Sequence, residues 1–150
     1  MQPLERDVET LRNIPLFAGL PTARLKLIAY TADIVRFEPG EVIVQQGDLP
    51  DGVYIITEGE AEVWLADTTG QSRRLAVLGA HSLFGETAVL ARSRRTATVR
   101  AKDRVVTFKI SSNVFLDLVR SSSDIGMQVM TILAERLERS TALLRQHEPQ

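Results

Sequence analysis

Apolar positions recur at helical spacing near the start of the chain, with Leu4, Val8 and Leu11 in residues 4–13 and Leu25, Leu27 and Ile28 in residues 22–30. Pro15 and Pro21 interrupt the connection. From Ala32 to about Ile110 the pattern changes to short runs of Val, Ile and Thr, at the spacing of a sandwich or barrel. The punctuation between them is turn chemistry: "EPGE" at 38–41, "QGDLPDG" at 46–52, "EGE" at 58–60 and "DTTG" at 67–70. In "YIITEGEAEVW", residues 54–64, Ala61, Val63 and Leu65 fall on one face and Glu60, Glu62 and Trp64 on the other. That stretch predicts a tight hairpin with one buried side, Trp64 being a partly covered surface aromatic.

After Ile110 the helical period returns, first in "NVFLDLVR" and then from about Ser123 to Gln146, where Ser123 or Asp124 is placed to cap the helix. Ile125, Val129, Ile132, Leu133, Leu137 and Leu144 make an apolar stripe for packing on the body of the protein or on a partner helix. Arg136, Arg139 and Arg145 stand in the C-terminal part of that helix, where cations are favourable. The expected fold class is α+β. An antiparallel, jelly-roll-like β-roll over about residues 32–110 is flanked by N-terminal helices (4–30) and two C-terminal helices (112–146), all in one domain spanning residues 1–150.

Composition narrows the chemistry. With 150 residues, 44% hydrophobic and 25% charged, the chain has enough apolar material for a substantial core. Eighteen basic against nineteen acidic residues leave a net charge of −1, so any anion site is local. There is no cysteine, which excludes thiolate chemistry, and His81 and His147 are too few for a histidine-based metal site. No apolar run reaches the ~18 residues of a membrane span, and "MQPLERDVET" lacks a secretory pattern. The expectation is a cytoplasmic protein without metal or cofactor that is not an enzyme.

The informative segment is "FGETAVLARSRRTATVRA", residues 84–101. Its makeup suits a compact phosphodiester, whose single charge calls for one guanidinium and a few backbone N–H donors. Arg95 is the natural guanidinium. "GETAVL" at 85–90 reads as one helical turn with free N–H groups, and Gly85 lets the backbone come close. Glu86 beside a phosphate makes sense once it accepts from a ribose hydroxyl. Reading the arginines Arg92, Arg94, Arg95, Arg100 and Arg104 as a nucleic-acid surface conflicts with the negative net charge and the lack of interleaved aromatics. A cupin-like barrel enzyme would need histidines the chain lacks.

These residues resemble the phosphate-binding cassette of the cyclic nucleotide-binding domain family: Phe84-Gly85-Glu86, Thr87, Ala88, Val89-Leu90, a short spacer, then Arg94-Arg95-Thr96-Ala97-Thr98-Val99. "IPLFAGLP" at 14–21, "FEPGEVIVQQGD" at 37–48 and "DGVYIITEGEAEV" at 51–63 extend the resemblance to about residues 10–145. It implies that Glu86 accepts the ribose 2′-OH, that Arg95 pairs with the cyclic phosphate, and that Gly85 and Ala88 supply backbone donors, with Thr87 beside them. Thr96 would offer a hydroxyl to phosphate or base, followed by Ala97, and Val63 and Ala76 would line the nucleotide. The last helix would be a lid, with Leu133, Arg136, Leu137 or Leu144 reaching the base.

The implied function is a regulatory or sensor domain for a cyclic purine mononucleotide, cAMP favoured over cGMP, acting on an effector protein or a further output domain. The alternative is a degenerate member of the same fold that binds no nucleotide and serves protein contacts. Two positions depart from the family pattern. Arg94 replaces a common Pro, loosening the loop that presents Arg95, and His81, expected in an exposed turn, replaces a common Gly.

Overall fold

The structure, a computed structural model, describes residues 3–146, with side chains from Leu4 to Arg139. Leu144 and Arg145 therefore fall outside the described side chains, and His147 outside the described residues. Helix α1 (Pro3–Arg12) buries Val8 and Leu11, and a 3-10 turn at Pro15–Phe17 buries Leu16 and Phe17. Helix α2 (Thr22–Thr31) buries Leu25, Ile28 and Ala29. Leu27, counted with the apolar face in the sequence, is exposed, because it lies about 200° around the helix from Leu25.

Eight strands follow: β1 (Asp33–Phe37), β2 (Val42–Val44), β3 (Gly52–Glu58), β4 (Ala61–Ala66), β5 (Ser72–Leu78), β6 (Leu83–Phe84), β7 (Thr98–Ala101) and β8 (Val105–Ser111). They form two four-stranded antiparallel sheets, ordered β1-β8-β3-β6 and β2-β7-β4-β5. The hairpin expected over residues 54–64 is not formed. β3 pairs with β6 and β8, whereas β4 pairs with β5 and β7, so Gly59-Glu60 is a corner that carries the chain from one sheet to the other. Gly59 has φ +88°, and a Cβ there would collide with the Arg104 carbonyl. The Asp103 carboxylate accepts from the Glu60 amide at 2.8 Å and fixes the turn. A two-residue glycine turn thus serves a sheet crossing as well as it serves a hairpin, and local pattern does not separate the two.

β3 is buried on both faces. Val53 and Ile55 join the helix-side core with Leu11, Phe17, Leu25, Ile28, Ile110 and Phe115. Tyr54 and Ile56 point into the roll with Val44, Ala61, Phe84, Val99 and Val105. Phe84 stacks on Tyr54, with ring centroids 5.2 Å apart and planes 8° from parallel, which fixes where β6 ends.

Helices α3 (Glu86–Ala91), α4 (Ser112–Ser121) and α5 (Ser123–Gln146) complete the fold. The N-cap interaction of α5 comes from Ser122, whose hydroxyl accepts from the Ile125 amide at 3.4 Å, rather than from Ser123 or Asp124. Ile125 and Val129 are buried, and Leu133 packs against the helix-side core. Leu137 does not continue the stripe. It is 68% exposed, because the helix turns Arg136 toward the roll.

Candidate functional site

Stacking of Phe84 on Tyr54 delivers Gly85 to the start of α3 with φ +86°, a left-handed conformation that glycine adopts without strain. A Cβ there would lie 2.5 Å from Arg95 Nη1. The first turn of α3 has no side-chain cap from its N-cap residue, so its amides carry the polarity of a free helix start.

Arg95 is held on the other side of this glycine. Its Nη1 donates to the Gly85 carbonyl at 2.8 Å, and its Nη2 donates to the Gly52 carbonyl at 2.7 Å and to Asp51 Oδ1 at 3.5 Å. The residue is 5% exposed. Its backbone is pinned as well: the Arg95 amide donates to Asp48 O at 2.8 Å and its carbonyl accepts from Gly47 N at 2.9 Å. Arg94 Nη1 donates to Gly47 O at 2.9 Å, so the arginine in the place of proline ties this loop to its neighbour instead of loosening it.

Asp51 stands in a "DG" pair that the sequence reads only as turn chemistry. It joins the arginine by also accepting from Lys109 Nζ at 2.5 Å. Burial raises its carboxyl, but the Lys109 hydrogen bond and charge, a backbone amide and Arg95 together hold it below the ordinary 3.8. A signal existed only in three dimensions, since Lys109 is 58 residues away.

Glu86 has no solvent exposure. Burial pushes its carboxyl above the ordinary 4.5, and Arg136, its own backbone amide and Arg95 offset part of that rise. Arg136 on α5 donates through Nη1 to Glu86 Oε1 and through Nη2 to the Leu83 carbonyl at 2.8 Å. Among the lid candidates, Arg136 reaches the cassette, where it meets the Glu86 carboxylate.

The remaining predicted residues are placed as follows. Ala88 is buried and Ala97 half-buried, while Thr87 and Thr96 are exposed. Val63 and Ala76 stand directly opposite each other on β4 and β5, with Val63 packed against the core inside the roll. Thr98 is buried and accepts from Gln46 N at 3.0 Å and Gln45 Nε2 at 3.2 Å, which locks β7 to the turn after β2. His81 is exposed with φ +74°, which accounts for a position where glycine is common. Among the described residues no cluster of His, Asp or Glu is arranged for a metal ion, and no helix is long and apolar enough to cross a membrane.

A buried carboxylate, Glu86, and a buried guanidinium, Arg95, lie on either side of a left-handed glycine. The model of the cyclic nucleotide-binding domain matches residues 34–122. The chain belongs to that family. Among its relatives, the cAMP-dependent protein kinase regulatory subunit of Blastocladiella emersonii is 33% identical over 115 residues, 77% of this chain and 28% of that protein. The crystal structure of the Thermus thermophilus catabolite activator protein superposes with a TM-score of 0.77 at 28% identity, covering 87% of this chain and 62% of that one. The regulatory subunit of a cAMP-independent protein kinase A from Trypanosoma cruzi, bound to guanosine, gives a TM-score of 0.80 at 25% identity, covering 96% and 51%. The chain thus spans about a quarter of the first relative's length and less than two thirds of either structural neighbour.

Proposed function

We propose that this member of the family is a non-catalytic, cytoplasmic sensor module that binds a cyclic purine mononucleotide, cAMP in preference to cGMP, and signals through movement of α5 to an effector protein or a further domain. The observation that carries the reading is the pair of buried charges, Glu86 and Arg95, on either side of Gly85. Glu86 would accept from the ribose 2′-OH and Arg95 would face the cyclic phosphate. The amides of Gly85 and Ala88 would donate to the phosphate, and Thr87, Thr96 and Ala97 would border it. Val63 and Ala76 would line the sugar and base. The diversity of its relatives, one of them cAMP-independent and bound to guanosine, makes the base the part of the ligand to be decided by titration.

Signalling requires that the ligand favour one position of α5; a difference of ~3 kcal/mol shifts a two-state equilibrium about a hundredfold. Calorimetric titration with cAMP, cGMP and a cyclic dinucleotide tests the reading. Binding of a mononucleotide that Arg95→Ala weakens about ten- to a hundredfold is the expected result. Unchanged affinity in that variant overturns the phosphate assignment, and heat-silent, shift-free mixing with all three ligands favours the protein-contact module.

A further inference from the structure

A cavity of about 420 Å³ lies between α5 and the body of the protein. Its floor is apolar: Ile14 and Leu16 from the 3-10 turn and its approach, Ile55 from β3 and Leu83 from β6, all buried. Ile55 and Leu83 belong to the helix-side core, whereas their chain neighbours Tyr54, Ile56 and Phe84 point into the roll. Successive side chains of a strand take opposite faces, so the cavity is on the far side of β3 and β6 from the roll interior where Val63 packs. It has the volume of about a dozen waters and falls within the ~300–1,000 Å³ of small-molecule sites. Water against such a floor finds few partners, and an apolar body that displaces it gains free energy.

The opposite wall is α5. Gln128, Thr131, Ile132 and Glu135 recur at i, i+3, i+4 and i+7 and so stack along one face of the helix. Gln128 Nε2 is engaged with the Pro15 carbonyl at 3.1 Å, and Thr131 spends its hydroxyl hydrogen on the Met127 carbonyl at 2.9 Å. Gln128 Oε1 and Thr131 Oγ1 remain as acceptors. Glu135 is exposed, and among the described residues it has no ion-pair partner. An ionised carboxylate accepts and cannot donate. His81 completes the rim, and an imidazole can donate as well as accept, so it selects no particular head group.

We propose that this cavity is a second ligand site, for a small ammonium carried on an apolar body. The body rests on Ile14, Leu16, Ile55 and Leu83, and the ammonium donates to Glu135, with Gln128 Oε1 and Thr131 Oγ1 as further acceptors. An ammonium has three donors and no acceptor, which suits a wall of acceptors bearing one negative charge, whereas an anionic head would meet Glu135 as a like charge. A molecule in the cavity touches α5 on one side and the 3-10 turn and both strands on the other. It favours the position of α5 that forms both walls, and so acts on whatever α5 transmits. The site does not depend on a nucleotide being bound in the roll.

Methyl NMR of the full chain tests this with three probes on one ring: 2-phenylethylamine, 2-phenylethanol and phenylacetate, each titrated at neutral pH. The amine is expected to shift the Ile14, Ile55 and Ile132 methyls saturably, with a dissociation constant of about 1 mM or less. It should bind at least about threefold more tightly than the alcohol, a preference that shrinks with added salt. Glu135→Gln, a surface change that leaves the core intact, should bring amine and alcohol to within about twofold of each other. Ile132→Phe, which narrows the cavity, should weaken both probes, with thermal unfolding confirming that the variant is folded. Shifts that do not saturate, or that appear at Val63 inside the roll instead of at the three isoleucines, overturn the site. Equal binding of amine and alcohol to the unaltered protein, a preference for phenylacetate, or a preference for the amine that survives Glu135→Gln overturns the assigned ligand class.

Discussion

Gly85 is the residue on which the cassette turns. Its φ of +86° and the 2.5 Å between a Cβ built there and Arg95 Nη1 mean that Gly85→Ala must move the guanidinium. That variant is expected to lose about 1–3 kcal/mol of stability and to bind cyclic nucleotide at least about tenfold more weakly, measured by denaturant unfolding and calorimetry. Native stability with native affinity would show that Arg95 is free to relocate. Glu86 makes a prediction about pH. Because burial raises its folded carboxyl above 4.5, the native state retains a proton that the unfolded chain has lost in the interval between the two values. Stability should therefore fall as pH rises through that interval, and Glu86→Gln should flatten the fall. Asp51, held below 3.8, acts oppositely and lower: its contribution is present above 3.8 and is lost as pH drops toward the folded value. Unfolding free energies across the acid range distinguish the two, and an unchanged slope in Glu86→Gln would contradict the first.

At the scale of elements, the corner at Gly59-Glu60 separates what the sequence discloses from what it does not. The strand character of residues 52–58 and 61–66, the turn between them and the helical ends were all legible from alternation and punctuation. Which strands pair was not, because β3 meets β8 about fifty residues later and β4 meets β7 about forty later, and hydrogen-bond partners at that distance leave no local periodicity. The same limit explains the site. Glu86 and Arg95 lie in one ordered motif and are legible there, and Arg136 is legible only as one of four candidates for reaching the base, its contact with Glu86 lying 50 residues away; Asp51, joined to Arg95 across 44 residues, leaves no signal in the sequence. Leu137 departs from the expected stripe for a finer reason: an apolar stripe counts side chains but does not say which of two adjacent residues, Arg136 or Leu137, faces the roll. Gly59→Ala probes the corner itself, where a side chain would meet positive φ and the Arg104 carbonyl together. It should cost about 1–3 kcal/mol, seen as a lower denaturation midpoint with an unchanged m-value. A neutral result would mean that the β8 turn yields.

On the scale of the whole molecule, two cores share the strands β3, β6 and β8. The helix-side core and the core inside the roll meet along β3, whose alternate side chains belong to each. α5 is bound differently. Its first half buries Ile125 and Val129, while Met127, Met130 and Leu137 remain exposed. A cavity of about 420 Å³, bordered by Ile14, Leu16, Ile55, His81, Leu83 and Ile132, separates the middle of the helix from the body. The helix packs on the body through Ile125, Val129 and Leu133, is joined to it by Gln128 Nε2 donating to the Pro15 carbonyl at 3.1 Å, and is held farther along by Arg136.

The double burial of β3 sets a clock for deuterium. Amides in a strand with neighbours on both sides and apolar cover on both faces open only when the whole chain unfolds, so those of Val53 to Ile56 should be among the last to exchange, at the rate of global unfolding. Amides of α5 beyond Val129 should exchange much sooner, by local release of the helix, and cyclic nucleotide should slow them without slowing β3 to the same degree. Uniform protection of both would mean that α5 and the roll open as one unit.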